Sequence, residues 1–230
     1  MMQTTLDSLI SRACELLRYD SSAPLIFNSG LFLFLFVAFG AGYLLLKRAT
    51  TLRILYVIAF SIYFYYKSSG IYFLLLVFVS VCDYWIGHAL DSSRDEKMRR
   101  QLVALSVVIN LGMLAYFKYT NFLIEIANSV VGEGFLQFQN IFLPVGISFF
   151  VFQSIAYVVD ISRGTIKPLK RFDDYLFLLS FFPKIFLGPL VKAKDFIPQI
   201  QNRDITVSRD DMGRAVTLIA GGIFKYAIIA

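Results

Sequence analysis

LPVGISFFVFQSIAYVVDISRG, residues Leu143 to Gly164, and FFPKIFLGPLVKAKDFIPQ, residues Phe181 to Gln199, decide the fold. Both are apolar enough for a bilayer, yet the second carries Pro183, Lys184, Gly188 and Pro189 within its run. Interrupted backbone at membrane depth is tolerated only where protein covers it or where it lines a wet cavity. Leu143 to Ser162 therefore reads as a spanning helix. Asp174 to Val191 reads as a re-entrant hairpin opening to the cytoplasm, the alternative being a Pro-kinked spanning helix. Each proline removes a backbone donor, and Lys184 would be costly facing lipid. Such a segment points to a ligand or reaction path, which simple anchoring would not require.

The rest of the chain agrees with a membrane setting. Of 230 residues, 57% are hydrophobic and only 17% charged, and the mean hydropathy is +0.66. That balance excludes an ordinary soluble domain. The net charge of +6 comes from Lys and Arg in short loops with no continuous basic face, so no nucleic-acid partner is expected and membrane orientation is the better reading. Cys14 and Cys82 lie in different settings, and no disulfide is expected. The start lacks the basic region and short apolar core of a secretory signal and reads as retained.

Leu6, Leu9, Ile10, Ala13, Leu16 and Leu17 follow helical spacing and predict an amphipathic surface helix within residues 1–23. Residues 24–230 then form one transmembrane unit. Spanning helices are predicted at Pro24 to Leu46, Leu52 to Tyr66, Ile71 to Leu90 and Gln101 to Tyr119. Thr120 to Val131 either continues the last of these or forms a separate segment. The second helix is short, ending in an aromatic belt of Tyr63, Tyr65 and Tyr66 with Lys67 snorkelling outward. Asp211 to Ala230 starts another helix, and its apolar end makes the chain read as the front part of a larger bundle. The fold class is thus all-α, a polytopic helical bundle with a re-entrant hairpin.

Basic residues mark three cytoplasmic loops: Lys47, Arg48 and Arg53; Arg94, Lys97, Arg99 and Arg100; and Arg163, Lys167, Lys170 and Arg171. This places the chain in the inner membrane with its N-terminus outside.

Chemistry must come from few residues. Gly146, Gln153, Tyr157 and Asp160 recur at spacings of seven, four and three and share a helix face. That stripe fits a lined tunnel or interhelical hydrogen bonding, with Asp160 read as a structural ion pair with Arg163. Lys184 could meet the phosphates of a nucleotide-like donor or offset charge at a reacting carbonyl, or snorkel from a shallow hairpin. Asp83 should face the bundle, bonded to a Tyr or Ser neighbour. At a spacing of five, His88, the sole histidine, shares no helix face with Asp83, so the two make no acid/base pair. No metal-ligand cluster or phosphate-binding glycine loop occurs.

NLGMLAYFKYTNF from Asn110, LPVGISFFVFQSIAYVVDISRG from Leu143, FDDYLFLLSFFPKIFLGPLVKAKDFIPQ from Phe172 and the final GGIFKYAIIA together resemble the membrane-bound O-acyltransferases. The similar branch contains the alginate O-acetyltransferases and the D-alanyl transfer protein of teichoic acid synthesis. The resemblance implies the N-terminal part of that fold. It also implies an acyl group, acetyl in the alginate branch, taken from a cytoplasmic thioester, either acyl-CoA or acyl carrier protein. The acceptor would be a hydroxyl of an exported glycan, reached with partner acetyltransferase proteins. Gln153, Tyr157, Pro183, Lys184, Gly188 and Pro189 are the donor-tunnel candidates. The family's histidine base would fall beyond Ala230, which leaves no catalytic residue expected within the chain. A transporter or channel, a noncatalytic scaffold subunit and an inactive remnant are the competing readings.

Overall fold

A computed structural model describes residues 18–20, 25, 29–46, 49–132, 137–187, 193–201 and 208–228. The surface helix expected at Leu6 to Leu17, and with it Gly188 and Pro189 of the hairpin, lies outside the described residues. Helix is the only regular structure among the described residues, as expected for an all-α bundle.

Helix α1 spans Gly30–Leu45. It starts at Ser29, whose hydroxyl accepts from the Phe32 amide at 3.1 Å and satisfies one of the free donors at the helix start. Helix α2 runs Thr50–Ser69, longer than the predicted Leu52 to Tyr66. At 1.5 Å per residue its 20 residues match a hydrocarbon core of about 30 Å. Near its end the Ser68 hydroxyl is satisfied inside the protein, Oγ lying 2.9 Å from both Phe64 O and Leu25 O. Lys67 corrects the expectation of snorkelling. It is buried, and its ammonium donates to the Arg18 carbonyl, a backbone acceptor that lets the charge stay inside. Gly70 ends the helix in the left-handed region at φ 62°, where a Cβ would stand 2.9 Å from the Tyr19 ring.

After one 3₁₀ turn, α3 runs Phe73–Ser92. Helix α4, Glu96–Leu114, starts five residues ahead of the predicted Gln101 because Asp95 caps it, accepting from the Lys97 amide at 3.1 Å. A π-helical turn over Ala115–Tyr119 leads straight into α5, Thr120–Val131. Of the two possibilities left open for this segment, continuation holds: Glu96–Val131 forms one 36-residue helical run. Helix α6 covers Ile147–Ser162. Arg99 ties the ends of α3 and α6 together, its guanidinium donating to the carbonyls of Leu90, Ser93 and, at 2.8 Å, Ser162. Those carbonyls would otherwise lack intrahelical donors.

Helix α7, Phe172–Ser180, has nine residues, about 13 Å at the helical rise. That is under half the thickness of the hydrocarbon core. The helix breaks at Phe181 (φ −53°, ψ 107°) and resumes as α8, Phe182–Leu187, with Pro183 in the first turn, where its missing amide hydrogen removes no helical bond. Ser61 of α2 accepts from the Phe182 amide at 3.3 Å, so the break is covered by protein. Helix α9, Ala193–Gln201, lies back on α7, with Phe196 stacked on Phe177 (5.8 Å between ring centroids) and packed on Phe181 (5.6 Å). Helices α7 and α9 thus pack side by side, while the connection between α8 and α9 lies outside the described residues. Helix α10, Arg209–Ile228, is exposed along almost its whole described length.

The core forms where α6 packs on α3 and α4, and where α7 packs on α2 and α3. Val79, Phe150, Tyr157, Tyr175 and Leu178 are among its fully buried side chains.

Candidate functional site

Two buried polar arrangements surround α7. The first is a network across α3, α4, α6 and α7. Asp83, 0% exposed, accepts through Oδ2 from the Asn110 amide at 2.6 Å and from the Ser154 hydroxyl. Ser154 Oγ also lies 2.8 Å from Tyr175 Oη. Asp83 thus bonds a serine on a neighbouring helix, as expected of it. Asn110 Nδ2 also reaches the Ser106 carbonyl at 3.0 Å. Asp83 Oδ1 and Asn110 Oδ1 are buried without a partner among the described residues. The network has no cationic member, so it spans the core through neutral donors.

The second arrangement is the polar stripe of α6. Gln153 Nε2 donates to the Leu178 carbonyl at 3.1 Å. Tyr157 Oη accepts from the Leu169 amide at 2.8 Å, and its ring lies 4.5 Å from that of Tyr175. Both side chains place their polar atoms on the backbone of α7 or of the loop leading into it. Asp160 departs from its reading: among the described residues the ion pairs are Arg100–Glu96 and Arg171–Asp173, and no Asp160–Arg163 pair accompanies them. The backbone closes that corner instead, the Thr165 amide donating to the Asp160 carbonyl at 2.9 Å. Arg171 Nε donates to Asp173 at 2.9 Å at the start of α7, and this holds the Asp173 carboxyl below the usual carboxylate range.

At the far end of α7 stands Lys184. It is 9% exposed, and its Nζ has no hydrogen-bond partner among the described residues. The ammonium sits 4.1 Å from the centroid of the Phe196 ring, whose electron-rich face offsets part of the lost hydration. Pro183 precedes it in α8. Gly146 brings α6 against this turn, since a Cβ there would lie 2.5 Å from the Ile185 carbonyl oxygen. The structure thus gathers Gln153 and Tyr157 along one side of α7, with Lys184 and Pro183 beyond its end. His88 stands apart: its Nδ1 lies 2.9 Å from the Tyr84 carbonyl of its own helix.

Sequence reasoning missed a cleft of about 360 Å³ between α1, α2, α7 and α9, walled by Phe36, Phe39, Phe177, Phe181 and Phe196. Its signal was present in the helical spacing of Phe36, Phe39 and Tyr43 on α1 and of Arg53, Ile54 and Val57 on α2, all of which line it.

Comparison with known proteins finds extended similarity. The chain is 33% identical over 211 residues to the probable alginate O-acetylase AlgI of Pseudomonas aeruginosa, a match covering 90% of this chain and 40% of that protein. The probable alginate O-acetylase AlgI of Azotobacter vinelandii is 33% identical over 212 residues, covering 90% and 42%. A peptidoglycan O-acetyltransferase of Helicobacter pylori is 26% identical over 235 residues, covering 90% and 44%. The chain spans about two fifths of the length of these relatives. No family model matches, and no solved structure matches.

Proposed function

We propose that this chain, related by sequence to the membrane-bound O-acyltransferases of the alginate O-acetylase branch, is part of an enzyme that O-acylates an exported polysaccharide. The observation that carries this reading is similarity, over nine tenths of the chain, to proteins named as probable alginate O-acetylases and as a peptidoglycan O-acetyltransferase.

In this reading a cytoplasmic acyl thioester is the donor. The acceptor oxygen bonds the acyl carbonyl carbon, the carbon–sulfur bond breaks, and the thiolate leaves with the electron pair. A general base takes the acceptor's proton as charge develops on the attacking oxygen. His88 engages the Tyr84 carbonyl of its own helix through Nδ1 and is not assigned as that base. Lys184 is the group suited to the donor, because a desolvated ammonium interacts strongly with phosphate or with developing negative charge. Gln153 and Tyr157 hold α7, and α7 positions Lys184. The enzyme would reside in the inner membrane, N-terminus outside, working with acetyltransferase partners on the outer side.

The test is deletion of the coding sequence, followed by measurement of ester-linked acetate released by mild alkali from the exported polysaccharide. Loss of the ester, restored by the complete gene, is expected. Unchanged ester content would overturn the reading. Transfer of label from acetyl-CoA or acetyl carrier protein in inverted vesicles then separates the two donors.

A further inference from the structure

The aromatic cleft between α1, α2, α7 and α9 has, among the described residues, one charged side chain in its lining, Arg53. Along α1, Phe36 and Tyr43 are seven residues apart, about 10 Å at the helical rise. Tyr43 lies toward the α1–α2 connection, where Arg53 occupies the first turn of α2 with its guanidinium carbon 5.6 Å from the centroid of the Tyr43 ring. Arg53 is only 6% exposed, yet it lines the cleft. Apart from Gln199 of α9, the remaining walls are largely apolar, with Phe36, Phe39, Val57, Phe181 and Phe196 among them. Gly40 lines the middle, and a Cβ built on it meets nothing within 4 Å.

A slot with a cation at its rim and aromatic walls beyond matches an amphiphile with one anionic head and a hydrocarbon tail. The cleft lies at the small end of the range of ligand-sized cavities, enough for part of a chain. Lys47 and Arg48 precede Arg53 by six and five residues in sequence, and basic clusters beside a spanning helix attract anionic headgroups. We infer that the cleft is a binding site for one anionic phospholipid, its phosphate at Arg53 and an acyl chain between α1 and the α7–α9 hairpin. This rests on the membrane reading of the chain and not on the acyl-transfer reading, so the two stand or fall separately.

The test is native mass spectrometry of the complete protein released from nanodiscs of equal phosphatidylglycerol and phosphatidylcholine. One phosphatidylglycerol retained per chain, in several-fold excess over phosphatidylcholine, is expected. Arg53→Gln should bring the two lipids toward equal retention. Gly40→Leu should lose the retained lipid without lowering the thermal midpoint, because its side chain enters open space and leucine is the better helix former. Equal retention of both lipids by the unmodified protein, or a Gly40→Leu variant that keeps its lipid, would overturn the inference. Displacement of the lipid by acetyl-CoA or acetyl carrier protein would overturn it too, giving the cleft to the donor instead.

Discussion

The carbonyl of Ile185 fills the space a side chain at Gly146 would need: a Cβ there would stand 2.5 Å from that oxygen. Gly146 also adopts φ 75°, a region disfavoured for residues with a Cβ. One glycine therefore sets how closely α8 approaches the start of α6. Gly146→Ala should destabilise the protein by roughly 2 kcal/mol from backbone strain alone, more with the clash. A thermal midpoint in detergent equal to that of the unmodified protein would show that the two segments do not meet this closely.

Asp83 is fully buried and accepts from Asn110 and Ser154. Asp83→Ala strands buried donors, each costing about 1–3 kcal/mol, and should lower the thermal midpoint by roughly 5–10 °C. Asp83→Asn keeps an acceptor and should lose markedly less. Differential scanning fluorimetry of both variants checks the order, and an alanine variant as stable as the asparagine one would remove the network from the account of stability.

Lys184 carries a buried charge whose visible partner is the Phe196 ring. Lys184→Met keeps the volume and removes the desolvation cost, so folding should be unharmed or improved. If the acyl-transfer reading holds, the same variant should raise the KM for the thioester donor about tenfold, equivalent to roughly 1.4 kcal/mol of lost interaction. Unchanged donor KM and kcat in the complete enzyme would take Lys184 out of the donor site.

Arg171 holds Asp173 below the usual carboxylate range through a hydrogen bond and its charge. A carboxyl depressed on folding contributes stability that is complete above its unfolded value of about 3.9 and is lost as pH falls through the lower folded value. The pair is partly solvated, so the amount is at most about 1 kcal/mol. Asp173→Asn should therefore narrow the difference in thermal midpoint between pH 6 and pH 3. An equal difference in both proteins would refute the coupling.

The helices were legible because bilayer crossing leaves a long apolar signal, and their ends were less so because capping is local chemistry. Asp95 moved the start of α4 to Glu96, and α2 runs on to Ser69, where Gly70 with its positive φ ends it. Lys67 was misread because composition cannot reveal a backbone carbonyl arriving from Arg18. The stripe of Gln153 and Tyr157 was visible as spacing, but its partners, Leu178 O and Leu169 N, belong to another segment. Of the aromatic cleft, spacing could show only which residues of α1 and α2 share a face; Phe36 and Phe196 become neighbours of one space only when α9 packs against α7.

By itself, the order of residues determined the membrane setting, the all-helical class, the proline within the broken segment and the similarity to proteins named as probable alginate O-acetylases. Hydropathy, missing backbone donors and shared words of sequence are properties of a single stretch. Only the tertiary structure decided that Asp83 meets Ser154, that Lys184 rests on Phe196 and that Arg53 rims a cleft. Each of these joins residues from different helices, and which helices meet is set by close packing of whole faces, which no single segment encodes.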